Sequence, residues 1–286
     1  MKGRVLVVAG SDSGGGAGIQ ADIKTITALG AYAATAITAL TAQDTLGVHA
    51  IHAVPLDFLR MQMSCVLDDI GADVVKTGML GDAATIDCVC DVLRTKAPGV
   101  PVVVDPVMVA KGGQSLLAAE AIGALKRRLL PLARVVTPNI PEAETLTGMA
   151  IADVRALRQA AGALLSLGAP AVLLKGGHLP GDTVVDLLAT EAGVAEFEAP
   201  RIETRHTHGT GCTLASAIAA GLAQGLGLVD AVARARAYVR AAIAGAPGYG
   251  AGHGPLNHGV TVDLGRLGRN WCKHKATTSP EGGFHG

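Results

Sequence analysis

Aromatic residues and an excess of either charge are both missing from this sequence. Three Phe, three Tyr and one Trp occur among 286 residues, and 24 Lys and Arg are balanced by 24 Asp and Glu. A nucleic-acid-binding surface is marked by clustered basic residues. Because this chain has no basic run with interleaved aromatics, we expect neither a nucleic acid nor an acidic protein as its partner. The composition favours a small-molecule ligand.

Long hydrophobic runs and paired cysteines are absent as well. No apolar stretch reaches the length of a membrane-spanning helix, and the first apolar run, residues 5–9, is too short for a signal peptide. The cysteines are odd in number and form no C-x-x-C pair: Cys65, Cys88, Cys90, Cys212 and Cys272. Neither a disulfide framework nor a zinc site is indicated. We expect a cytoplasmic protein that does not bind a membrane.

The chain instead alternates short Val-rich runs with helical segments. The predicted strands are residues 5–9, 35–40, 74–76, 102–105, 135–137 and 171–175. The predicted helices lie near 17–29, 56–70, 82–96, 117–130, 152–167, 213–224 and 229–244. Val-rich strands of this kind are buried on both faces in parallel sheets. The pattern predicts an α/β fold, a three-layer sandwich whose central, mostly parallel sheet carries helices on both faces.

The domain organisation is predicted to be simple. Residues 184–190 and 194–199 fit a hairpin at the periphery, and no linker or internal repeat precedes residue 246. The last residues are polar and have no periodicity. We expect a single domain over residues 1–260 and a mobile tail over 261–286 without a role in the chemistry.

A glycine-rich turn that opens into an alanine-rich helix is the strongest chemical signal. Gly209, Thr210 and Gly211 come just before the predicted helix, and Cys212 lies in its first turn. The first amides of a helix have no internal partner and carry partial positive charge, so this turn is predicted to bind an anion such as phosphate. The same field is expected to favour the thiolate of Cys212 and so make it a candidate base. Free cysteine is, however, more often a small buried apolar residue.

Two polar residues that follow the first two strands are candidates for binding a ring. Gln43 can donate and accept hydrogen bonds at once, and Asp12 lies in a glycine-rich loop, residues 10–18. In open α/β sheets ligands bind beyond the carboxyl ends of the strands, which favours a shared polar heterocycle. A turn or helix cap explains Gln43 equally well. The loop itself lacks the acidic partner of a dinucleotide site and also fits a structural turn.

Oxygen donors and a lysine follow three later strands. Asn139 and Glu142 are three residues apart and Asp105 ends another strand, a set that suits Mg²⁺ bound with phosphates. Asn139 and Glu142 also fit an ordinary helix start, with Asn139 as the N-cap. Lys175 follows a buried strand and can reach a phosphate as a point charge. A zinc site is disfavoured because no acidic third ligand lies near His178, His206 and His208.

Seven segments together resemble one known family. They run in the order AGSDSGGGAGIQAD (9–22), TAQDTLGV (41–48), KTGML (76–80), VDPVM (104–108), TPNIPEAE (137–144), KGGH (175–178) and THGTGCTLASAIAAGLAQG (207–225). These segments are similar to those of the hydroxymethylpyrimidine/phosphomethylpyrimidine kinases of thiamine biosynthesis, in the ribokinase-like superfamily. The resemblance covers residues 4 to about 260. It implies ATP-dependent phosphorylation of 4-amino-5-hydroxymethyl-2-methylpyrimidine and then of its monophosphate to the diphosphate.

The resemblance also implies roles for particular residues. Gln43 binds the aminopyrimidine, Asp12 is a weaker polar candidate, and the walls of that pocket are Gly10, Ala17, Met79 and Val107. Asn139 and Glu142 organise Mg²⁺ with Asp105, while Lys175, Thr210 and Asn139 contact ATP. The anion hole is formed by Gly209, Thr210 and Gly211. Cys212 takes the place of the aspartate base of many sugar kinases. The family resemblance further implies a homodimer.

Alternative functions remain open at this stage. A pyridoxal or pyridoxine kinase needs a similar pocket, and a cysteine hydrolase requires Cys212 as nucleophile with His206 or His208 as base. A third alternative is a nucleotide-binding module without catalysis. We also expect residues 108–115, with Gly112 and Gly113, to close over the acceptor as a lid.

Overall fold

One central sheet organises the structure. The computed structural model describes residues 1–109, 113 and 116–263. Its strands are β1 (Arg4–Asp12), β2 (Tyr32–Gln43), β3 (Val48–Ala53), β4 (Val74–Thr77), β5 (Val102–Val104), β6 (Ala133–Val136), β7 (Ala171–Leu174), β8 (Thr183–Thr190) and β9 (Gly193–Pro200). Within these residues they form a nine-stranded sheet of order β3-β2-β1-β4-β5-β6-β7-β8-β9. In that order the six strands β2, β1, β4, β5, β6 and β7 pair in parallel. At one edge β3 pairs antiparallel with β2, and at the other β8 pairs antiparallel with both β7 and the edge strand β9.

Helices cover both faces of this sheet. They are α1 (Gly18–Ala28), α2 (Leu56–Asp69), α3 (Ala83–Lys96), α4 (Ala121–Ala124), α5 (Ile140–Thr147), α6 (Val154–Leu165), α7 (Thr210–Ala223) and α8 (Leu228–Ala244). The side chains of α2 to α6 pack into one apolar core, and those of α1, α7 and α8 into a second core. Alternate residues of β1 feed the two cores: Val5 and Val7 enter one, Leu6 and Val8 the other. The predicted three-layer α/β sandwich is confirmed.

Several predicted boundaries need correction. The helix predicted near 117–130 begins at Ala121, because Leu117 forms a strand-like bridge with Gly81. After α4 the chain continues as a π-helical segment, Leu125–Leu129, and then a 3₁₀ turn, Leu130–Leu132. The predicted peripheral hairpin is confirmed: β8 and β9 pair with each other at one edge of the sheet, and β8 joins them to β7. Strand β3 was not among the predicted elements, and of helix α5 only the start at Asn139 was predicted.

The structure describes the C-terminal region as far as residue 263. Residues 264–286, including Cys272, lie outside the described residues, so the predicted tail is not tested there. Up to residue 263 the chain still contacts the domain, because the Thr261 hydroxyl donates to the carbonyl of Ala28 at 2.7 Å. The boundary at residue 260 stays a prediction. Among the described residues, no helix is both long enough and apolar enough to cross a membrane.

Candidate active site

A cavity of about 840 Å³ opens at the carboxyl ends of the parallel strands. It is the place where the rule for open α/β sheets puts ligands. The residues to which the family resemblance assigned a role all line it: Gly10, Asp12, Ala17, Gln43, Met79, Asp105, Val107, Asn139, Glu142, Lys175, Gly209, Thr210, Gly211 and Cys212. The structure therefore brings the candidate residues together, while their individual roles stay predictions.

The N-terminus of α7, where the sequence predicts an anion site, lines the cavity. Gly209 is its N-cap with φ of 81°, a left-handed conformation that favours glycine, and no side chain caps the helix among the described residues. A Cβ on Gly211 would lie 3.3 Å from Nζ of Lys175 and 3.5 Å from Oδ2 of Asp105. The first-turn backbone thus faces the lysine and the carboxylate directly. A side chain at this position would narrow the space between the first turn of α7 and the lysine.

The Cys212 thiol lies where two helices begin. It is in the first turn of α7, and the backbone N–H of Gly18, the first residue of α1, donates to its sulfur. The expectation of a favoured thiolate is nevertheless wrong for this structure. Burial raises the pKa of Cys212 to about 12, and the nearby charge of Lys76 lowers it only in part. Desolvation outweighs the helix field at this position.

A buried ion pair beneath Cys212 was missed by the sequence analysis. Lys76 in β4 is fully buried, and its Nζ donates to both oxygens of Asp22 at 2.9 and 3.0 Å. Ser216, one turn along α7 from Cys212, donates to Asp22 at 2.6 Å. Burial alone lowers the pKa of Lys76, but Asp22 and the other nearby acidic groups raise it on balance. A lysine inside the apolar run 74–76 was the available signal, since a buried cation needs a partner.

The predicted oxygen donors surround Lys175. Its Nζ lies 3.4 Å from Oδ1 of Asp105, which also accepts from the Thr137 hydroxyl at 3.3 Å. Burial raises the pKa of Glu142 to about 7, with Lys175 opposing the shift and Asp105 adding to it. Burial alone lowers the pKa of Lys175, but Asp105 and Glu142 raise it on balance. Two buried carboxyl groups thus lie close to one lysine.

The predicted helix start at Asn139 is confirmed. The Asn139 side chain accepts from the amide of Glu142 at 3.0 Å, and Glu142 accepts from the amide of Asn139 at 2.8 Å. This reciprocal pair is a capping box at the first turn of α5. One oxygen of each side chain is therefore engaged with the backbone. The cap also fixes the direction in which the Glu142 carboxyl is held.

Gln43 and Asp12 line the cavity next to His208. Asp12 accepts from the amides of Gly14 at 2.8 Å, Gly16 at 3.0 Å and Ala17 at 2.8 Å, so its carboxylate holds the glycine-rich loop in shape. Nε2 of His208 lies 2.9 Å from the same carboxylate. In the sequence, His208 was considered only as a metal ligand and as the base of a cysteine hydrolase. Its contact with Asp12 spans 196 residues and has no local sequence signal.

The remaining histidines and the predicted lid can be placed only in part. Among the described residues, no group of three His, Cys, Asp or Glu is arranged to hold a metal, and neither His206 nor His208 is hydrogen-bonded to Cys212. Met108 is buried and Val109 is exposed. Residues 110–112, 114 and 115 of the predicted lid lie outside the described residues.

Sequence comparisons point to one family. The family model described as phosphomethylpyrimidine kinase matches residues 12–257. The thiamine biosynthesis bifunctional protein ThiED of Geobacter sulfurreducens is 57% identical over 90% of this chain, and the chain spans 52% of that relative's length. The hydroxymethylpyrimidine/phosphomethylpyrimidine kinase of Streptomyces coelicolor is 49% identical, and the match covers 89% of this chain and 94% of the relative.

Solved structures with the same fold include two kinds of kinase. Bacillus subtilis pyridoxal kinase, in an ADP complex, superposes with a TM-score of 0.85 and 37% identity over 91% of this chain and 98% of its own. The phosphomethylpyrimidine kinase of Clostridium difficile gives a TM-score of 0.74 and 40% identity over 84% of this chain and 98% of its own. The identity is thus slightly higher with the pyrimidine kinase, while the superposition is better with the pyridoxal kinase.

Proposed function

The chain belongs to the phosphomethylpyrimidine kinase family, and from this premise we propose that it transfers the γ-phosphoryl group of ATP to 4-amino-5-hydroxymethyl-2-methylpyrimidine and then to its monophosphate. One observation carries the proposal. A single cavity contains the Gln43 carboxamide, which suits an aminopyrimidine, and the turn of residues 209–211 at the start of α7, here called the anion cradle. The two ends match the two substrates of such a reaction.

The phosphate end of the cavity supplies mainly positioning and charge. Phosphoryl transfer needs alignment of the acceptor with the phosphorus and stabilisation of charge on the phosphate oxygens. The backbone of Gly209, Thr210 and Gly211 provides amides, of which that of Thr210 also donates to the carbonyl of Thr207 at 3.3 Å. Lys175 provides a fixed cation. The lysine is held in place by Asp105 at 3.4 Å. We propose that Lys175, Thr210 and Asn139 contact the nucleotide phosphates.

The carboxylates beside Lys175 suit a magnesium ion. Two buried carboxyl groups, Asp105 and Glu142, face the same cavity, and burial raises the pKa of Glu142 to about 7. Mg²⁺ commonly binds through one or two carboxylates together with phosphates and water, and does not need a complete protein cage. We propose that Asp105 and Glu142 hold the ion, with Asn139 beside them. When bound, the ion neutralises phosphate charge.

Cys212 is the proposed base. The acceptor hydroxyl oxygen forms a bond to the γ-phosphorus as the bond from that phosphorus to the bridging oxygen breaks, and ADP leaves. The Cys212 thiol first releases its own proton to solvent, and the resulting thiolate then takes up the proton of the acceptor hydroxyl. The thiol lies in the cavity wall at the first turn of α7, next to the anion cradle. The buried cation Lys76 below it lowers the pKa of the thiol and opposes the effect of burial.

The ring end of the cavity is formed by the first loop and its neighbours. The Gln43 amide offers a donor and an acceptor to an aminopyrimidine edge. Gly10 lets the wall approach closely, because a Cβ there would lie 2.6 Å from Cε of Met79. Ala17 and Val107 complete the proposed pocket, and Asp12 supports it by organising the loop.

Pyridoxal kinase is the second candidate, because a pyridoxal kinase superposes with a TM-score of 0.85. The deciding experiment measures ATP consumption with the pyrimidine alcohol, its monophosphate and pyridoxal, and separates the products. We expect the largest kcat/KM with the two pyrimidines. A preference for pyridoxal, or no ATP consumption with any acceptor, contradicts the proposal. An acyl burst without ATP indicates the cysteine hydrolase instead.

We also propose that the enzyme acts in the cytoplasm as a homodimer. Four cysteines in the described part of the chain are free thiols, which suits a reducing compartment. Large apolar side chains are exposed near the β3 edge, among them Ile51, Phe58 and Met61. Sedimentation equilibrium at micromolar concentration tests the dimer, and a monomer mass contradicts it.

A further inference from the structure

His208 joins the two glycine-rich loops of the site. It is buried, and its Nε2 lies 2.9 Å from Oδ2 of Asp12 and 3.3 Å from the amide nitrogen of Gln43. Its ring packs against Gly16, where a Cβ would lie 3.3 Å from Nε2. His208 is also the residue immediately before the anion cradle. His208 therefore lies between the proposed ring pocket and the anion cradle.

The carboxylate of Asp12 fixes where the imidazole proton lies. Burial raises the pKa of Asp12, but His208 and the amides of Gly14 and Ala17 outweigh burial and hold that pKa below its ordinary value. An ionised carboxylate can only accept hydrogen bonds. The ring nitrogen that faces it must then carry hydrogen. His208 is accordingly an Nε2–H donor, directed between Asp12 and Gln43.

This tautomer determines which way the Gln43 amide turns. With the amide nitrogen 3.3 Å from Nε2 of His208, two donors face each other. At the other end, the amide oxygen lies 3.2 Å from the Thr41 hydroxyl, which already donates to the carbonyl of Ser11 at 2.9 Å. The two ends of a carboxamide occupy nearly the same space, so a half-turn resolves both conflicts. The oxygen then accepts from His208, and the NH₂ group donates to Thr41.

We infer that His208 is a positioning residue that locks the Gln43 carboxamide and thereby sets the direction in which the aminopyrimidine binds. This inference rests on the proposed function. The second lone pair and the second hydrogen of the locked amide remain for the ligand. The ring's amino group then lies beside the oxygen, on the His208 side. Because the hydroxymethyl group is on the adjacent ring carbon, it points toward residues 209–212.

The locked amide also explains how the site can distinguish related rings. The 4-amino ring offers a donor and an adjacent ring nitrogen acceptor, whereas the 4-oxo analogue offers an acceptor and a ring N–H. The oxo analogue therefore needs the opposite amide orientation. Sites that hold a fixed hydrogen-bonding group reject a mismatched ligand strongly, because a buried polar group stays unpaired. Without His208, the amide is free to turn and accept either ring.

The test compares kcat/KM for the pyrimidine alcohol and for its 4-oxo analogue. His208→Phe removes the N–H but keeps a planar ring. We expect the preference for the amino compound to fall about 100-fold while KM for ATP stays unchanged. His208→Gln retains the preference, because its NH₂ group can donate to Asp12 and to Gln43 together. His52→Phe, at an exposed histidine, serves as the control and leaves the preference intact.

A full preference in His208→Phe overturns the inference, as does its loss in His208→Gln. Nitrogen NMR of ¹⁵N-histidine-labelled wild-type protein gives an independent answer if His208→Phe does not fold. We expect the Nε2–H tautomer of His208 at neutral pH, and the Nδ1–H tautomer contradicts the inference. If the wild type phosphorylates neither pyrimidine, the proposed function fails, and the NMR result still decides the role of His208.

Discussion

At the scale of single residues, Cys212 shows how burial changes the chemistry expected from a motif. The helix start and Lys76 both favour a thiolate, yet burial raises the pKa of the thiol to about 12. At neutral pH the free enzyme therefore holds a neutral thiol. Proton transfer to sulfur then requires ionisation within the substrate complex. The catalytic contribution of the thiol should accordingly be that of an ordinary general base and not larger.

Replacing Cys212 by Ala tests this role. We expect kcat to fall by about 10²- to 10⁴-fold, the usual contribution of general base catalysis, while KM for ATP changes little. Steady-state kinetics with both substrates varied measure the two effects separately. Cys65→Ala, which removes an exposed thiol, is the matched control and should behave as the wild type. A normal kcat in Cys212→Ala removes the thiol from the mechanism.

The sequence predicts individual residues better than the contacts between them. Cys212, Lys175 and Glu142 follow strands or open helices, and that local placement alone brings them to one edge of the sheet. The pairs Lys76 with Asp22 and His208 with Asp12 join residues 54 and 196 positions apart. No periodicity or spacing encodes such contacts. They depend on how the helices and loops pack on the sheet.

At the scale of elements, those with a clear local sequence pattern were predicted, and those without one were missed. The inner strands are rich in Val and Leu and are buried on both faces, so their sequence alone indicates that they lie inside the sheet. Strand β3 is an edge strand with most residues exposed, and its sequence lacks a buried alternation. Helix α5 has eight residues, too few for a clear apolar period. Its N-cap signal was visible, but its length was not.

The start of α7 offers a test of the anion cradle as an element. Gly211 does not have a positive φ, so Gly211→Ala should leave the helix intact or stabilise it by up to about 1 kcal/mol. The new Cβ would lie 3.3 Å from Nζ of Lys175, in the space proposed for phosphate. We expect kcat/KM for ATP to fall about 100-fold, the cost of a small misplacement at a reacting centre. Thermal unfolding and kinetics measure both effects.

Gly162→Ala is the matched control for this substitution. Gly162 lies inside α6, and a Cβ there meets nothing within 4 Å. It should gain similar helix stability without loss of activity. Activity retained in Gly211→Ala would show that the phosphate does not bind against this turn.

At the scale of the whole molecule, the site joins parts of the chain that lie far apart. The loop after β1 contacts His208, and a strand-like bridge pairs His208 with Pro255. His258 then packs on the first turn of α7, with Nε2 3.0 Å from the Thr213 hydroxyl. Burial, with a smaller contribution from Lys24, lowers the pKa of His258 to about 4. The C-terminal segment thus packs a buried, neutral histidine against the first turn of α7.

Glu142 and His258 should make opposite contributions to the pH dependence of folding stability. The pKa of Glu142 is raised to about 7, so its stabilising contribution is full below about pH 4.5 and is lost as pH rises through 7. The pKa of His258 is lowered to about 4, so its contribution is full above about pH 6.5 and is lost as pH falls toward 4. Between pH 4.5 and 6.5 the two effects offset each other.

Removing one group at a time should therefore reveal the other. Glu142→Gln keeps the capping geometry and leaves the His258 contribution, so its free energy of unfolding should rise with pH. His258→Gln keeps a partner for Thr213 and leaves the Glu142 contribution, so its free energy of unfolding should fall over the same range. We expect the difference between the variants to change by about 4 kcal/mol from pH 4.5 to 6.5. Urea unfolding at 25 °C in EDTA, without nucleotide, measures it, and titrating groups that interact with neither Glu142 nor His258 cancel in the difference. Parallel curves for the two variants would mean that folding neither raises the pKa of Glu142 nor lowers the pKa of His258.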